Sequence, residues 1–398
     1  MPDYQCAPGP EIMSRIHKLQ SRLEQAGLDG ALIVHHTNLF YYTGTSQSAH
    51  LFVPRAGDPL LMVRKSFERA RQESPLPIIL DVQSLKGIPA ILQEHGHSVA
   101  HIGLELDIIP VNTYGFYNKI FSTTTFTDIS RMVRELRMIK SDYEVELLFE
   151  SARVQDAVFA EVPAMLREGM TELDLASLFE AGMRRRGYSG GCKMRSFNQD
   201  FFMGNVHSGP SGAVPSYFDG PLGGSGAAAA NNPHGAGWKK IVRDEAIIID
   251  YTCIINGYTV DQTRMFCIGN MPAHLRTAYE ATLTMQKELL ARIRPGVICE
   301  DVYLHSLELA GQYGLADYFM GSGKDKVRFV GHGVGLELDE FPIFAQGMKM
   351  PLEKGMVFAL EPKFVLAEGA VGIENTHVVE DNGVRTITGA TEEIICVP

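Results

Sequence analysis

The chain contains no run of about twenty apolar residues, so no segment reads as a membrane-spanning helix. Cysteine is sparse: the six residues, Cys6, Cys192, Cys253, Cys267, Cys299 and Cys396, are scattered and form no Cys-x-x-Cys pair. That spacing excludes a disulfide framework or a zinc knuckle and points to reduced, mostly buried thiols. There is no basic stripe, and the net charge is −11. Nucleic acid is therefore excluded as a partner. The first residues, Met1-Pro-Asp-Tyr-Gln-Cys6, lack a basic start followed by an apolar stretch. The expectation is a chain without a signal peptide, working in the cytoplasm. At 398 residues with 45% hydrophobic content, the chain is long and apolar enough for two domains with their own cores.

Residues 11–28 read as an amphipathic helix ending near Gly27. Ala31-Leu-Ile-Val34, Leu60-Leu-Met-Val63 and His101-Ile-Gly-Leu-Glu105 read as strands, with helical stretches between some of them. This pattern predicts an α/β domain over residues 1–135. A second domain, 136–398, opens on Leu136-Arg-Met-Ile-Lys-Ser141. Ser141 with Glu144 forms a capping box for a long helix to about Arg167. Thr171 caps another, which Gly187 ends. A similar helix pair recurs 127 residues later, where Arg294-Pro-Gly-Val-Ile-Cys-Glu-Asp-Val302 parallels Arg167-Glu-Gly-Met-Thr-Glu-Leu-Asp-Leu175, and Gly314 parallels Gly187. Such a duplication would bring chemistry from two halves onto neighbouring sheets.

The chemistry begins at Asn256-Gly257. This pair lies between Ala246-Ile-Ile-Ile-Asp250-Tyr-Thr-Cys-Ile-Ile255 and Tyr258-Thr-Val-Asp261-Gln-Thr-Arg264. Asn-Gly between apolar runs is a strong hairpin signal. A two-residue turn pairs Ile255 with Tyr258, Asp250 with Thr263 and Asp261 with Thr252. The two aspartates then become diagonal neighbours on one face. Carboxylates held that close repel unless a cation lies between them. Three further candidate ligands follow. His332 sits between glycines in Phe329-Val-Gly-His-Gly-Val-Gly-Leu-Glu337, Glu361 closes Met356-Val-Phe-Ala-Leu-Glu361 before Pro362, and Glu374 lies in Gly372-Ile-Glu-Asn-Thr-His377. Taken singly, each has an ordinary reading as a solvated edge residue or a loop hydrogen-bonder. Together, four carboxylates and one imidazole suit two Mn²⁺, Co²⁺, Fe²⁺ or Zn²⁺ ions sharing carboxylates.

In this order, the residues resemble the M24 metallopeptidases. The matching features are Asp-(x10)-Asp followed by Thr-Arg, then Gly-His-Gly-x-Gly-Leu, Leu-Glu-Pro and Gly-Ile-Glu. The family includes Xaa-Pro dipeptidases, aminopeptidase P, methionine aminopeptidase and the related creatinase. The prolidase and creatinase branch fits best, and the resemblance covers nearly the whole chain. It implies an α+β fold, with a C-terminal "pita-bread" domain preceded by a smaller creatinase-like α/β domain. It also implies Asp250, Asp261, His332, Glu361 and Glu374 as ligands of two divalent metal ions, Mn²⁺ foremost, with Glu361 doubling as proton shuttle. The Pro-His pair at Pro233-His234 matches a family histidine that contacts substrate, so His234 is assigned a catalytic and substrate-binding role. A homodimer is implied too. Thr43-Gly-Thr-Ser46, after Asn38 and Tyr41-Tyr42, resembles the loop that opens the first domain, which reads as a dimerisation and lid scaffold.

Two departures stand out. Family peptidases read Gly-His-Gly-x-Gly-Leu-x-x-His-Glu-x-Pro, whereas Asp339 here takes the second histidine's place, with Glu340 and Pro342 in step. An ionised carboxylate donates no hydrogen bond and opposes an oxyanion. Asp339 is therefore expected to bind an amine or amidine part of a substrate, or to be held neutral by its neighbours. The second departure is the Gly-, Ser-, Ala- and Asn-rich stretch 188–240. It leads into the Asp250 strand and reads as a lid or extended hairpin over the site mouth. The resulting expectation is a dinuclear hydrolase cleaving a C–N amide bond, with an Xaa-Pro dipeptide as default substrate. The alternatives are a hydrolase or lyase of a non-peptide metabolite on the same fold, and a non-enzymatic binding protein that keeps the shell.

Overall fold

Helix punctuation and strand alternation divide the chain into two units, Met1–Arg137 and Met138–Pro398. The structure is a computed structural model and describes residues 6–199, 203–227, 229–231 and 233–398. The first unit is a six-stranded mixed sheet. Gly30–Ile33 runs antiparallel to Ala49–Pro54 and parallel to His101–Leu104 at its centre. The amphipathic helix Gly9–Gln25 buries Ile12, Ile16, Leu19 and Leu23, one face at the three- and four-residue spacing of a helix. Asn38, Tyr41 and Tyr42 lie in a helix, His36–Thr43. It stops at Gly44, whose φ of 75° is a conformation that glycine adopts without a side-chain clash.

The second unit begins with Asp142–Met165, and its capping box forms as read. Glu144 N donates to Ser141 Oγ (3.2 Å) and Ser141 N to Glu144 Oε2 (3.0 Å). Thr171 caps Glu172–Arg185 in the same way through Asp174. The second helix pair is Ala273–Arg292 and Cys299–Gln312. Each pair precedes its own strands. After the first come three strands of a four-stranded sheet, in the order Ile395–Val397, Tyr258–Ile268, Ile247–Ile255, Gly204–Ser208, whose outer strand Ile395–Val397 returns from the C-terminal end. After the second comes a five-stranded sheet in the order Glu340–Ala345, Phe329–Gly333, Val357–Leu360, Asn375–Glu380, Gly383–Thr386. Between them runs the hairpin Lys363–Leu366 and Gly369–Gly372. Leu275, Tyr279, Met285 and Leu289 of one helix join Val330, Phe344, Phe358, Leu360 and Ile373 in a common apolar core. No helix among the described residues is long and apolar enough to cross a membrane.

The two sheets are stitched together where the candidate ligands lie. Asp261 N donates to Thr376 Oγ1 (2.9 Å), and Thr376 Oγ1 donates back to Asp261 O (3.0 Å). Thr263 bridges to Glu374. Arg264, 2% exposed, donates from Nη1 to Thr263 O (2.8 Å) and Glu374 O (2.9 Å), and from Nη2 to Asn375 Oδ1 (2.7 Å) and Ala390 O (2.7 Å). A planar guanidinium fork suits this task, because its donors are held at fixed angles.

Of the six cysteines, Cys253, Cys267 and Cys299 are buried, while Cys6 and Cys396 are exposed. Two histidines of this unit are fully buried and held neutral. His207 has neither ring nitrogen hydrogen-bonded among the described residues, and burial lowers its pKa to about 4. His377 packs on Phe358 with its Nδ1 3.1 Å from Thr386 Oγ1, and burial, with Arg264 nearby, lowers its pKa to about 3. Both folded values lie below the ordinary histidine value, so the unfolded chain takes up protons first as pH falls. The stability held above about pH 6.5 is then lost on going down toward 4. Unfolding free energies from urea titrations are expected to fall by about 2 kcal/mol per histidine between pH 7 and pH 5. His377→Phe is expected to flatten that slope by about one histidine's share.

Candidate metal centre

The hairpin register is the one that Asn256-Gly257 dictates: Ile255 pairs with Tyr258, Asp250 with Thr263, and Thr252 with Asp261. Asp250 and Asp261 thus share a face, and both are buried. The other three ligand candidates come from the second half. His332 lies on Phe329–Gly333, opposite Ala359. The glycines flanking it let neighbouring strands close in. A Cβ on Gly331 would lie 2.4 Å from Ala359 O, and one on Gly333 2.3 Å from Phe341 O. Glu361 follows the strand Val357–Leu360, and its N–H donates to Val330 O (3.0 Å). Glu374 sits where the hairpin returns to the sheet, opposite Thr263.

All five line one small chamber of about 40 Å³. His332 Nε2 lies 3.6 Å from Glu361 Oε1, 3.9 Å from Glu374 Oε1 and 4.0 Å from Asp261 Oδ2. Ligand atoms about 2.1 Å from a common ion stand roughly 3–4 Å apart, so this quartet could hold one divalent cation. Glu374 Oε1 supports the fit. It is buried without a hydrogen-bond partner among the described residues, a state that a bound cation would satisfy. On the far side of the ring, His332 Nδ1 lies 3.3 Å from Gly333 O and 3.5 Å from Asp339 Oδ1. That arrangement puts the proton on Nδ1 and leaves Nε2 to face the carboxylates. Asp339 is thus turned toward the imidazole. Its side chain, 36% exposed, also borders the chamber.

The electrostatics follow from burial. It pushes Asp250 up to about 6, against the pull of Lys363 and with the charge of Glu374 adding to the rise. Burial, and then the charges of Glu374 and Asp250, raise Asp261 well above the ordinary aspartate value. Burial raises Glu374 as well. For His332 burial opposes protonation, but the charges of Asp339, Glu361 and Glu374 outweigh it and raise the pKa. A site that raises its carboxylates in this way is short of positive charge.

One cation is already present, and sequence reading passed over it. Lys363, fully buried, sends its ammonium into the cluster, with Nζ 2.6 Å from Glu361 Oε2, 2.7 Å from Glu374 Oε2 and 3.3 Å from Asp250 Oδ2. The visible signal was a lysine beginning the strand Lys363–Leu366 directly after Glu361-Pro362, opposite Gly372.

His234 stands one side chain back from the chamber. Its Nδ1 lies 2.9 Å from Ser216 Oγ, its ring is 4.7 Å from that of Phe218, and Phe218 rather than His234 lines the cavity. Burial, with His207 nearby, lowers its pKa to about 4. Parts of the 188–240 stretch help build the chamber. Its strand Gly204–Ser208 pairs Asn205 with Asp250, and residues 218–222 wall the chamber. Residues 200–202, 228 and 232 of that stretch lie outside the described residues. A wider vestibule of about 510 Å³ shares Asp219, Phe329, His332 and Asp339 with the chamber and adds Ser196, Lys326, Arg328 and Ile343. Carboxylates and basic side chains therefore border the same space.

Comparison with known proteins agrees with this geometry. Residues 146–381 match Metallopeptidase family M24, and residues 15–139 match the Creatinase/Prolidase N-terminal domain. The chain is 28% identical over 386 residues to an uncharacterized peptidase of Bacillus subtilis, covering 96% of this chain and 99% of that one. It is 26% identical over 388 residues to an Xaa-Pro dipeptidase of Pyrococcus furiosus, covering 96% and 100%. Among solved structures, an Xaa-Pro dipeptidase from Bacillus anthracis superposes with a TM-score of 0.83 at 24% identity, covering 97% of this chain and all of that one.

Proposed function

The chain belongs to metallopeptidase family M24 and is a peptidase hydrolase of pita-bread fold, and on that footing we propose that it cleaves the C–N amide bond of Xaa-Pro dipeptides. The observation that carries this reading is the convergence of Asp250, Asp261, His332, Glu361 and Glu374, drawn from both halves of the second unit, on one buried chamber. We assign Asp261, His332, Glu361 and Glu374 to a divalent metal ion, with Mn²⁺ or Co²⁺ suited to an oxygen-rich set, and Asp250 to the Lys363 side of the same chamber. A divalent ion bound there supplies Lewis acidity at the scissile carbonyl and lowers the pKa of water.

The chain's own residues do the rest. Glu361 offers one carboxylate oxygen to the imidazole side and holds the other on Lys363, so it is fixed where a proton must move from water to the leaving nitrogen. Asp339 orients His332 through Nδ1. The vestibule gives a small zwitterion complementary ends, with Asp219 and Asp339 for an ammonium and Lys326 and Arg328 for a carboxylate. His234, behind Phe218, supports the wall against which the substrate side chain rests. Protein stripped with chelator is expected to lose Xaa-Pro hydrolysis and to regain it with Mn²⁺ or Co²⁺. Equal rates in stripped and reloaded samples would refute the assignment.

A second reading, hydrolysis of a small amine- or amidine-bearing metabolite, draws support from Asp339 at the junction of chamber and vestibule. The two readings separate in one panel. Under the first, Asp339→Asn raises KM for free-amine Xaa-Pro dipeptides about tenfold more than for N-acetylated ones, the share of one charge-assisted hydrogen bond, while loss of the His332 contact affects both alike. Under the second, the wild type turns over amidines and leaves the dipeptides intact.

A further inference from the structure

Within the metal-dependent reading above, on which this inference rests, we infer that the site takes a single divalent ion and that the ammonium of Lys363 permanently occupies the place of a second. The argument is geometric. A lysine ammonium has three donors, and here they meet three carboxylates: Glu361 Oε2 at 2.6 Å, Glu374 Oε2 at 2.7 Å and Asp250 Oδ2 at 3.3 Å. An ion bound among those oxygens would lie about 2.1 Å from each and would overlap the nitrogen.

The two glutamates divide their oxygens cleanly. Glu361 and Glu374 each give Oε2 to Lys363 and turn Oε1 toward His332 Nε2, at 3.6 and 3.9 Å. The lysine side is filled. Glu374 Oε2 there also accepts from Thr263 Oγ1 at 2.9 Å. The imidazole side is not filled, since Glu374 Oε1 has no hydrogen-bond partner among the described residues. Among the described residues, Asp261, His332 and Glu374 have ligand atoms within 4.8 Å of one another; Asp250 and Glu361 are outside that group, but Glu361 Oε1 still lies 3.6 Å from His332 Nε2.

The lysine is built in rather than swung in. Its side chain is fully buried, and its strand partner across the hairpin is Gly372. A Cβ at Gly372 would lie 2.3 Å from Lys363 Cγ, so the absence of a side chain there leaves the channel through which the lysine stem passes. Charge agrees as well. Four buried carboxylates against one ammonium leave three negative charges, which one divalent ion reduces to a single one.

The test is metal stoichiometry, which is independent of turnover. Full-length protein is dialysed against saturating Mn²⁺, and bound manganese per chain is measured by atomic absorption, with electron paramagnetic resonance of the same sample. The wild type is expected to bind one Mn²⁺ with the six-line spectrum of an isolated ion. Lys363→Ala, whose fold is checked by circular dichroism, is expected to bind two ions with a spin-coupled spectrum. Lys363→Arg, which keeps the charge, is expected to stay at one. Two ions in the wild type would overturn the inference and leave metal-dependent hydrolysis standing. So would one ion in both the wild type and a folded Lys363→Ala. No ion in the wild type would overturn the inference together with the metal reading.

Discussion

Replacing Glu374 by glutamine is expected to lower kcat/KM on an Xaa-Pro dipeptide by at least about a thousandfold, roughly 4 kcal/mol of transition-state stabilisation. Glu374, like Glu361, faces both Lys363 and the proposed cation position. Its Oε1 faces His332 Nε2 at 3.9 Å, and its Oε2 receives Lys363 at 2.7 Å and Thr263 Oγ1 at 2.9 Å. An amide in its place keeps the shape but loses the charge. Its NH₂ must also point either at the ammonium and hydroxyl donors, donor against donor, or at the cation position, where it offers no lone pair. The variant is expected to emerge from dialysis without manganese while its fold persists, because the backbone carbonyl of Glu374 still accepts from Arg264. Kinetics and metal content together check this. A variant within tenfold of wild-type kcat/KM, with its manganese retained, would remove Glu374 from the ligand set.

Arg264→Met is expected to cost about 3 kcal/mol or more of stability in urea titrations, and to weaken metal retention without touching a ligand. The methionine fills most of the volume but leaves the carbonyls of Thr263, Glu374 and Ala390 and the Asn375 side chain short of a donor in a region closed to water. These groups sit on the seam between the sheet carrying Asp250 and Asp261 and the segment carrying Glu374. Slippage there moves the two halves of the site apart. Arg264→Lys is expected to recover little, since an ammonium cannot reproduce the fork that reaches both sides of the seam. A loss below about 1 kcal/mol would show that the guanidinium is not what joins the sheets.

What sequence alone made legible follows from how local each determinant is. The register that brings Asp250 and Asp261 together was readable because a two-residue Asn256-Gly257 turn leaves one pairing, and the pairing observed is that one. The capping box at Ser141 and the cap at Thr171 were readable because donor and acceptor are three residues apart. Lys363 was not readable in the same way. Nothing within its own strand says which side of the hairpin faces the carboxylates, and the glycine that makes room for it is nine positions on. His234 shows the converse. Its role came from the Pro-His resemblance, which does not fix where the ring sits: a long loop places Phe218 on the chamber wall, with the imidazole ring 4.7 Å from it, and packing rather than spacing decides that order. The strand Gly204–Ser208 was hidden by composition. It carries one aliphatic residue, Val206, and takes its place from the apolar strand beside it.

The convergence of acidic groups and one imidazole on a bound cation is tested most directly by anomalous diffraction at the manganese edge from crystals grown in excess Mn²⁺. The account predicts a peak bonded to His332 Nε2 and to carboxylate oxygens of Asp261, Glu361 and Glu374, with Lys363 beside it. Density showing these side chains unliganded in ample manganese, with no anomalous peak among them, would contradict it.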